Sequence, residues 1–214
     1  LSQRRKEEDF EFSALLEFGL RDGELRAPVA AVSTRRLESL LRRYTLPVRG
    51  VDGFDDLPIP FRAVATNLET GAAVVLDRGD LSTALRSSMS VPGVFSPIEV
   101  DGRMLGDGGL VNNVPIDVAR AMGVDVVIVV NVGTPLAGRD SLSSALGVTT
   151  QMINILTEQN VQRSLATLGP RDVLVAPQLG TLSASDFERS AEFIALGERA
   201  ARVALERLQP LARS

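Results

Sequence analysis

The chain has 214 residues, 44% of them hydrophobic and 23% charged, with a net charge of −4: long enough for one α/β domain with its own core, and too acidic for general nucleic-acid binding, which needs a basic face. Cysteine and histidine are both absent, which excludes a thiolate nucleophile, a cysteine or histidine metal centre and any Ser-His-Asp triad. Acid–base chemistry must then fall to carboxylates.

In chain order, residues 1–28 are charged and weakly periodic, and predict a mobile lead-in or a short irregular pairing. Residues 29–209 read as one α/β domain. "APVAAVS" predicts a short strand, after which Ser33 or Thr34 caps a helix whose Leu37, Leu40 and Leu41 share a face through about Tyr44. "TLPVRGVDGFDDLPIP" is rich in proline, glycine and aspartate and predicts a loop, with Asp55 and Asp56 solvated. "FRAVATNL" and "AAVVLD" flank "ETG" as a β-hairpin. In "DLSTALRSSMS", Asp80 is an N-cap, Leu81, Ala84 and Leu85 hold helical spacing, and Pro92 stops the helix. Arg86 reads there as a surface arginine, and Ser87, Ser88 and Ser90 as helix-end packing and capping rather than nucleophiles. Asp101-Gly102 joins two short strands as the dipeptide preferred in type I′ hairpins.

From residue 115 onward helix and strand alternate, which predicts βαβ units in a three-layer sandwich. Pro115 suits the first turn of "PIDVARAM" and Gly123 its end. "VDVVIVVNVG" is apolar on both faces, as a central parallel strand should be. A long helical region over about 141–168 leads to the strand "DVLVAP". The last helix, over about 186–208, sets Phe187, Ala191, Ile194, Ala201, Ala204 and Leu208 on one face. No apolar run approaches the roughly 20 residues of a membrane-spanning helix.

One carboxylate stands out. Asp107 lies where the strand "RMLG" gives way to Gly108 and Gly109, and in open α/β sheets catalysis gathers at the carboxyl ends of strands. The glycines carry no side chain and tolerate positive φ, so another group could approach the carboxylate closely. The plainer alternative is a turn aspartate capping its own backbone. Asn112 and Asn113 either cap the next helix or help fix the Asp107 loop. "VVNVGTP" lacks the glycine spacing of a dinucleotide site and is set aside.

Taken together, Ser88-Met89-Ser90-x-Pro92-x-x-Phe95, then Asp107-Gly108-Gly109, then Asn113-x-Pro115 resemble the patatin-like phospholipase family, especially its bacterial members, over about Phe61 to Leu208. The resemblance implies a three-layer α/β/α sandwich with a mostly parallel central sheet. It also implies a lipid acyl hydrolase in which a serine of a Gly-x-Ser-x-Gly turn pairs directly with the aspartate of Asp-Gly-Gly, here Asp107, without histidine. No metal or organic cofactor is implied. The substrate would be a phospholipid or lysophospholipid at a membrane surface, with a homodimer as the default assembly. A secreted or outer-membrane-attached location is favoured over a cytoplasmic one.

Gly-x-Ser-x-Gly does not occur in these residues, nor does the family's glycine-rich oxyanion segment. The expectation is therefore the C-terminal part of a patatin domain, with its first strands and nucleophile turn missing, inactive by itself. The alternative is a non-catalytic patatin-fold module that binds membrane or protein.

Overall fold

The computed structural model describes residues 19–21, 24–26, 34–92, 95–133, 136, 138–143, 145–180, 182 and 186–213. The strand expected over 27–33 and most of the expected lead-in lie outside these residues. The chain forms two compact units, Leu1–Gly109 and Leu110–Ser214.

In the first unit, β1 (Gly19–Arg21) and β2 (Glu24–Arg26) pair antiparallel, followed by α1 (Thr34–Thr45). β3 (Ala63–Asn67), β4 (Ala73–Leu76), β5 (Ile98–Val100) and β6 (Arg103–Asp107) then form an antiparallel sheet in the order β4-β3-β6-β5. Turn chemistry makes its two hairpins. Gly71 has a φ of 72° between β3 and β4. Between β5 and β6, Asp101 and Gly102 have φ of 51° and 72°, the two successive left-handed residues that a type I′ turn requires.

α2 (Leu81–Ser88) connects β4 to β5. Its predicted cap holds: Asp80 Oδ1 accepts a hydrogen bond from the Thr83 amide at 2.8 Å, and others from the Ser82 and Thr83 hydroxyls. The stretch expected to be a loop carries a core residue. Phe54 is 0% exposed and packs with Ala63 and Ala84, flanked by Leu57, Phe61, Leu76 and Leu81. Its backbone explains how a loop can do this, since Phe54 N–H donates to Asp77 O at 2.8 Å and Phe54 O accepts from Phe61 N–H at 3.1 Å. Asp55 stays at the surface, ion-paired to Arg62 at 2.7 Å.

In the second unit, β7 (Ile128–Val130) and β8 (Val173–Val175) pair in parallel, joined by the crossover helix α5 (Ala145–Leu165). Because Ile128 pairs with Val173 and Val130 with Val175, these four side chains share one face and Val129 points to the other. Val129 packs with Val114, Ile116, Val127 and Val161 beneath α4 (Ile116–Ala121) and α5. On the opposite face Val173 and Val175 pack on Ala204, flanked by Ala200, Ala201 and Leu208 of the closing helices α6 (Ser190–Val203) and α7 (Leu205–Leu208). Helices thus lie on both faces of a parallel pair, the expected three layers.

Three details differ from the sequence reading. The closing helices cover β8 and not β7, so Ile128 and Val130 are 52% and 56% exposed rather than buried. The closing apolar stripe packs only from Ala200 onward, with Ile194 70% exposed. Pro115 stands just before α4 as its N-cap, while Gly123, with φ 83°, ends the helix region as expected. No helix among the described residues is long and apolar enough to cross a membrane.

Candidate active site

Asp107 is the last residue of β6, opposite Ala65 in β3. Its backbone is held from two sides. The Asp107 amide donates to Ser90 O at 3.1 Å and the Gly108 amide to Ser88 O at 3.3 Å, both at the end of α2. From β3, the Thr66 hydroxyl donates to Asp107 O at 2.6 Å.

The side chain is half-buried. Oδ1 accepts the Gly109 amide at 2.6 Å, so the turn-capping role expected of an Asp-Gly pair is real. Oδ2 takes no hydrogen bond from the described residues and stays open to a further donor. Burial pushes the carboxyl above its ordinary value, and the Gly109 N–H opposes that shift without cancelling it. The result is a carboxylate shifted to be more basic by burial, with one oxygen anchored and the other available.

The glycines act differently from the sequence reading. Gly108 is not among the positive-φ residues. A Cβ there would lie 2.1 Å from Val64 O and 2.6 Å from its carbonyl carbon, so the space over Gly108 is filled by the β3 backbone. Gly109 contributes its N–H and opens α3 (Gly109–Asn112).

Asn112 Nδ2 donates to Asp117 Oδ1 at 2.9 Å, tying the end of α3 to α4. Asn113 contributes its backbone amide, which donates to Asn160 Oδ1 at 2.9 Å. Asn160, a buried residue of α5 that sequence reading missed, also donates through Nδ2 to Leu110 O at 3.4 Å. It holds residues 110–113 from 47 positions downstream in the chain, and only a polar residue interrupting a helix's apolar side could have hinted at it.

Two of the serines bond to the backbone of α2 itself. Ser87 Oγ donates to Thr83 O at 2.8 Å, and Ser90 Oγ donates to Arg86 O at 2.9 Å, both residues being buried. Arg86 is not on the surface: it is 2% exposed, with Nη1 donating to Ser90 Oγ at 2.6 Å and Nη2 to Ser96 O at 2.9 Å. Helical position alone misled here, because a long cation beside three serines carries no local sign of being inside.

Comparison with known proteins gives this geometry a family. A patatin-like phospholipase family model matches residues 2–120, which include Asp107 and its β3 and α2 supports; it begins upstream of the stretch in which the motifs lie and leaves 121–214 unmatched. An uncharacterized NTE family protein of Mycobacterium bovis is 37% identical over 110 residues, or 51% of this chain and 30% of that protein, and one of Mycobacterium tuberculosis matches equally. Patatin-like phospholipase domain-containing protein 7 of Mus musculus is 43% identical over 82 residues, 37% of this chain and 6% of that protein. The matched part thus spans less than a third of the length of the mycobacterial relatives. With the family match covering more than half of the residues and holding the Asp-Gly-Gly turn at a strand end, the chain belongs to the patatin-like phospholipase family.

Proposed function

We propose that the protein to which this chain belongs is a lipid acyl hydrolase in which Asp107 is the proton-handling partner of a serine lying outside these 214 residues. The observation that carries the reading is the Asp107 carboxylate itself, anchored through Oδ1, open at Oδ2 and made more basic by burial. In this role Oδ2 accepts the serine proton as the serine oxygen attacks an ester carbonyl. The proton then passes to the departing alcohol, leaving an acyl-serine. Water attacks that ester in turn, giving its proton to Asp107, and the serine oxygen regains a proton as the fatty acid leaves. Donors for the oxyanion would come from outside the chain, as would the serine.

A phospholipid or lysophospholipid is the proposed substrate class, supported by family membership. A membrane surface as partner is supported by α1, which exposes Leu40 and Tyr44 beside Arg43, with Arg42 exposed on the neighbouring side of the helix, a pairing of cationic and apolar side chains suited to anionic lipid.

The test uses the full-length protein on a p-nitrophenyl ester and on phospholipid vesicles. Asp107→Asn should lower kcat by at least about a hundredfold, because the amide cannot take the serine proton. The 214-residue chain alone should show no turnover above background. Full activity in Asp107→Asn would overturn the assignment, and robust turnover by the isolated chain would overturn the placement of the nucleophile.

A further inference from the structure

We infer that Arg86 is a positioning residue for Asp107, acting through Ser90 to hold the end of β6. The inference rests on Asp107 being the proton acceptor. Arg86 is one of the largest fully buried side chains of the protein. Among the described residues it lies within ion-pairing distance of no carboxylate and its Nε has no hydrogen-bond partner. Desolvation bears on it more strongly than the charge of Glu38 compensates. A cation buried on such terms costs stability, and an apolar side chain of similar length would pack there more cheaply.

What the guanidinium does with its remaining donors is specific. Nη1 holds the Ser90 hydroxyl at 2.6 Å, Nη2 holds Ser96 O at 2.9 Å, and the group lies 5.2 Å from the centre of the Phe95 ring. One planar fork thereby fixes both ends of the segment that leaves α2. The start of that segment and the last residue of α2 supply the carbonyls of Ser90 and Ser88 that receive the Asp107 and Gly108 amides. From guanidinium to Asp107 the path is two hydrogen bonds long, through one serine. No arginine is among the influences on the Asp107 carboxyl, which are burial and the Gly109 amide. The hydrogen-bonded path through Ser90 gives Arg86 a part in placing the carboxylate.

The experiment uses the full-length protein and compares wild type, Arg86→Lys, Arg86→Ala, Ser90→Ala and Asp107→Asn. Each is assayed for kcat and KM on a soluble p-nitrophenyl ester and titrated with a fluorophosphonate that counts reactive serines. Lysine cannot span both acceptors, so Arg86→Lys should lose about tenfold to a hundredfold in kcat, the range expected for a displaced catalytic group. Its KM should stay within about twofold and its serines should titrate fully but more slowly. Added guanidinium should restore part of the kcat of Arg86→Ala. Ser90→Ala should lower kcat in the same direction, and combining it with Arg86→Lys should add little, because both cut one path.

A fall in kcat that only follows the number of titratable serines, with no guanidinium rescue, would reduce Arg86 to a structural role and overturn the inference. So would unchanged kcat in Arg86→Lys and Ser90→Ala. If Asp107→Asn is dead while the Arg86 variants behave that way, the role of Asp107 stands and this inference alone falls. If Asp107→Asn is fully active, the role of Asp107 falls first.

Discussion

At Gly108 a side chain has nowhere to go. Its Cβ would sit 2.1 Å from a backbone oxygen of β3, and a backbone atom in a paired strand cannot swing aside as a flexible side-chain tip can. Gly108→Ala should therefore lower unfolding free energy by roughly 1–3 kcal/mol or more in denaturant titrations. The amide that reaches Ser88 and the carboxylate beside it should shift together, so hydrolysis should fall as well. Unchanged stability would exclude the close approach of Gly108 to the β3 backbone. For Asp107 the pH dependence has a definite sign. Its folded pKa is raised, so the native state holds that proton more tightly than the unfolded chain, whose aspartate titrates near 3.9. The stabilisation is complete at low pH and lost as pH rises through the raised value. Asp107→Asn should then unfold at a higher temperature than wild type at pH 7, with the gap closing as pH falls toward about 4. An inactive but stabilised variant is a common mark of a group retained for chemistry.

Among the elements, α1 leaves part of its apolar stripe exposed. Leu37 and Leu41 are half-buried, while Leu40 and Tyr44 on the same side are exposed next to Arg43, and Arg42 is exposed further round the helix. The same helix influences its neighbour, since Arg42 helps hold the Asp80 carboxyl below its ordinary value, behind the larger effect of the Ser82 hydroxyl bond. If α1 meets lipid, each basic residue near an anionic surface contributes about 1 kcal/mol. Reversing both charges with Arg42→Glu and Arg43→Glu should weaken binding to phosphatidylglycerol vesicles by more than about tenfold. Binding to neutral phosphatidylcholine vesicles should hardly change, and the loss should shrink at high salt. Equal affinity for anionic vesicles in wild type and double variant would remove α1 from the lipid-facing surface.

At the scale of the whole molecule, the second unit is tied together through one buried carboxylate. In the second unit the knot is Asp172, buried just before β8, whose carboxylate accepts the Val127 amide at 2.8 Å and the Gly169 amide at 2.6 Å and pairs with Arg120. Arg207 donates to its backbone carbonyl at 2.6 Å. One residue thus joins α4, the approach to β7, the turn before β8 and α7. Hydrogen bonds from Val127 and Gly169, ahead of the Arg120 charge, hold its carboxyl below the ordinary range. A lowered folded pKa stabilises the protein above the unfolded value near 3.9, and that contribution is lost as pH falls through the folded value. Asp172→Ala should lower the melting temperature by several degrees at pH 7, and the difference from wild type should narrow in acid. A pH-independent difference would exclude the carboxylate as its source.

What the sequence by itself determined is what neighbours along the chain decide. The Asp101-Gly102 turn, the Asp80 cap, the antiparallel hairpins and the parallel pair with its helical crossover were legible because each follows from chemistry within a few residues or from an apolar period. Asp107 was legible too, as an acid set between a strand and two glycines. Only the tertiary structure decided that Phe54 leaves its loop for the core, that Arg86 is inside, that Gly108 is glycine for want of space and that Asn160 holds residues 110–113. The physical reason is common to all four. Burial and close approach depend on which distant segments meet, and local sequence does not encode the partner that arrives.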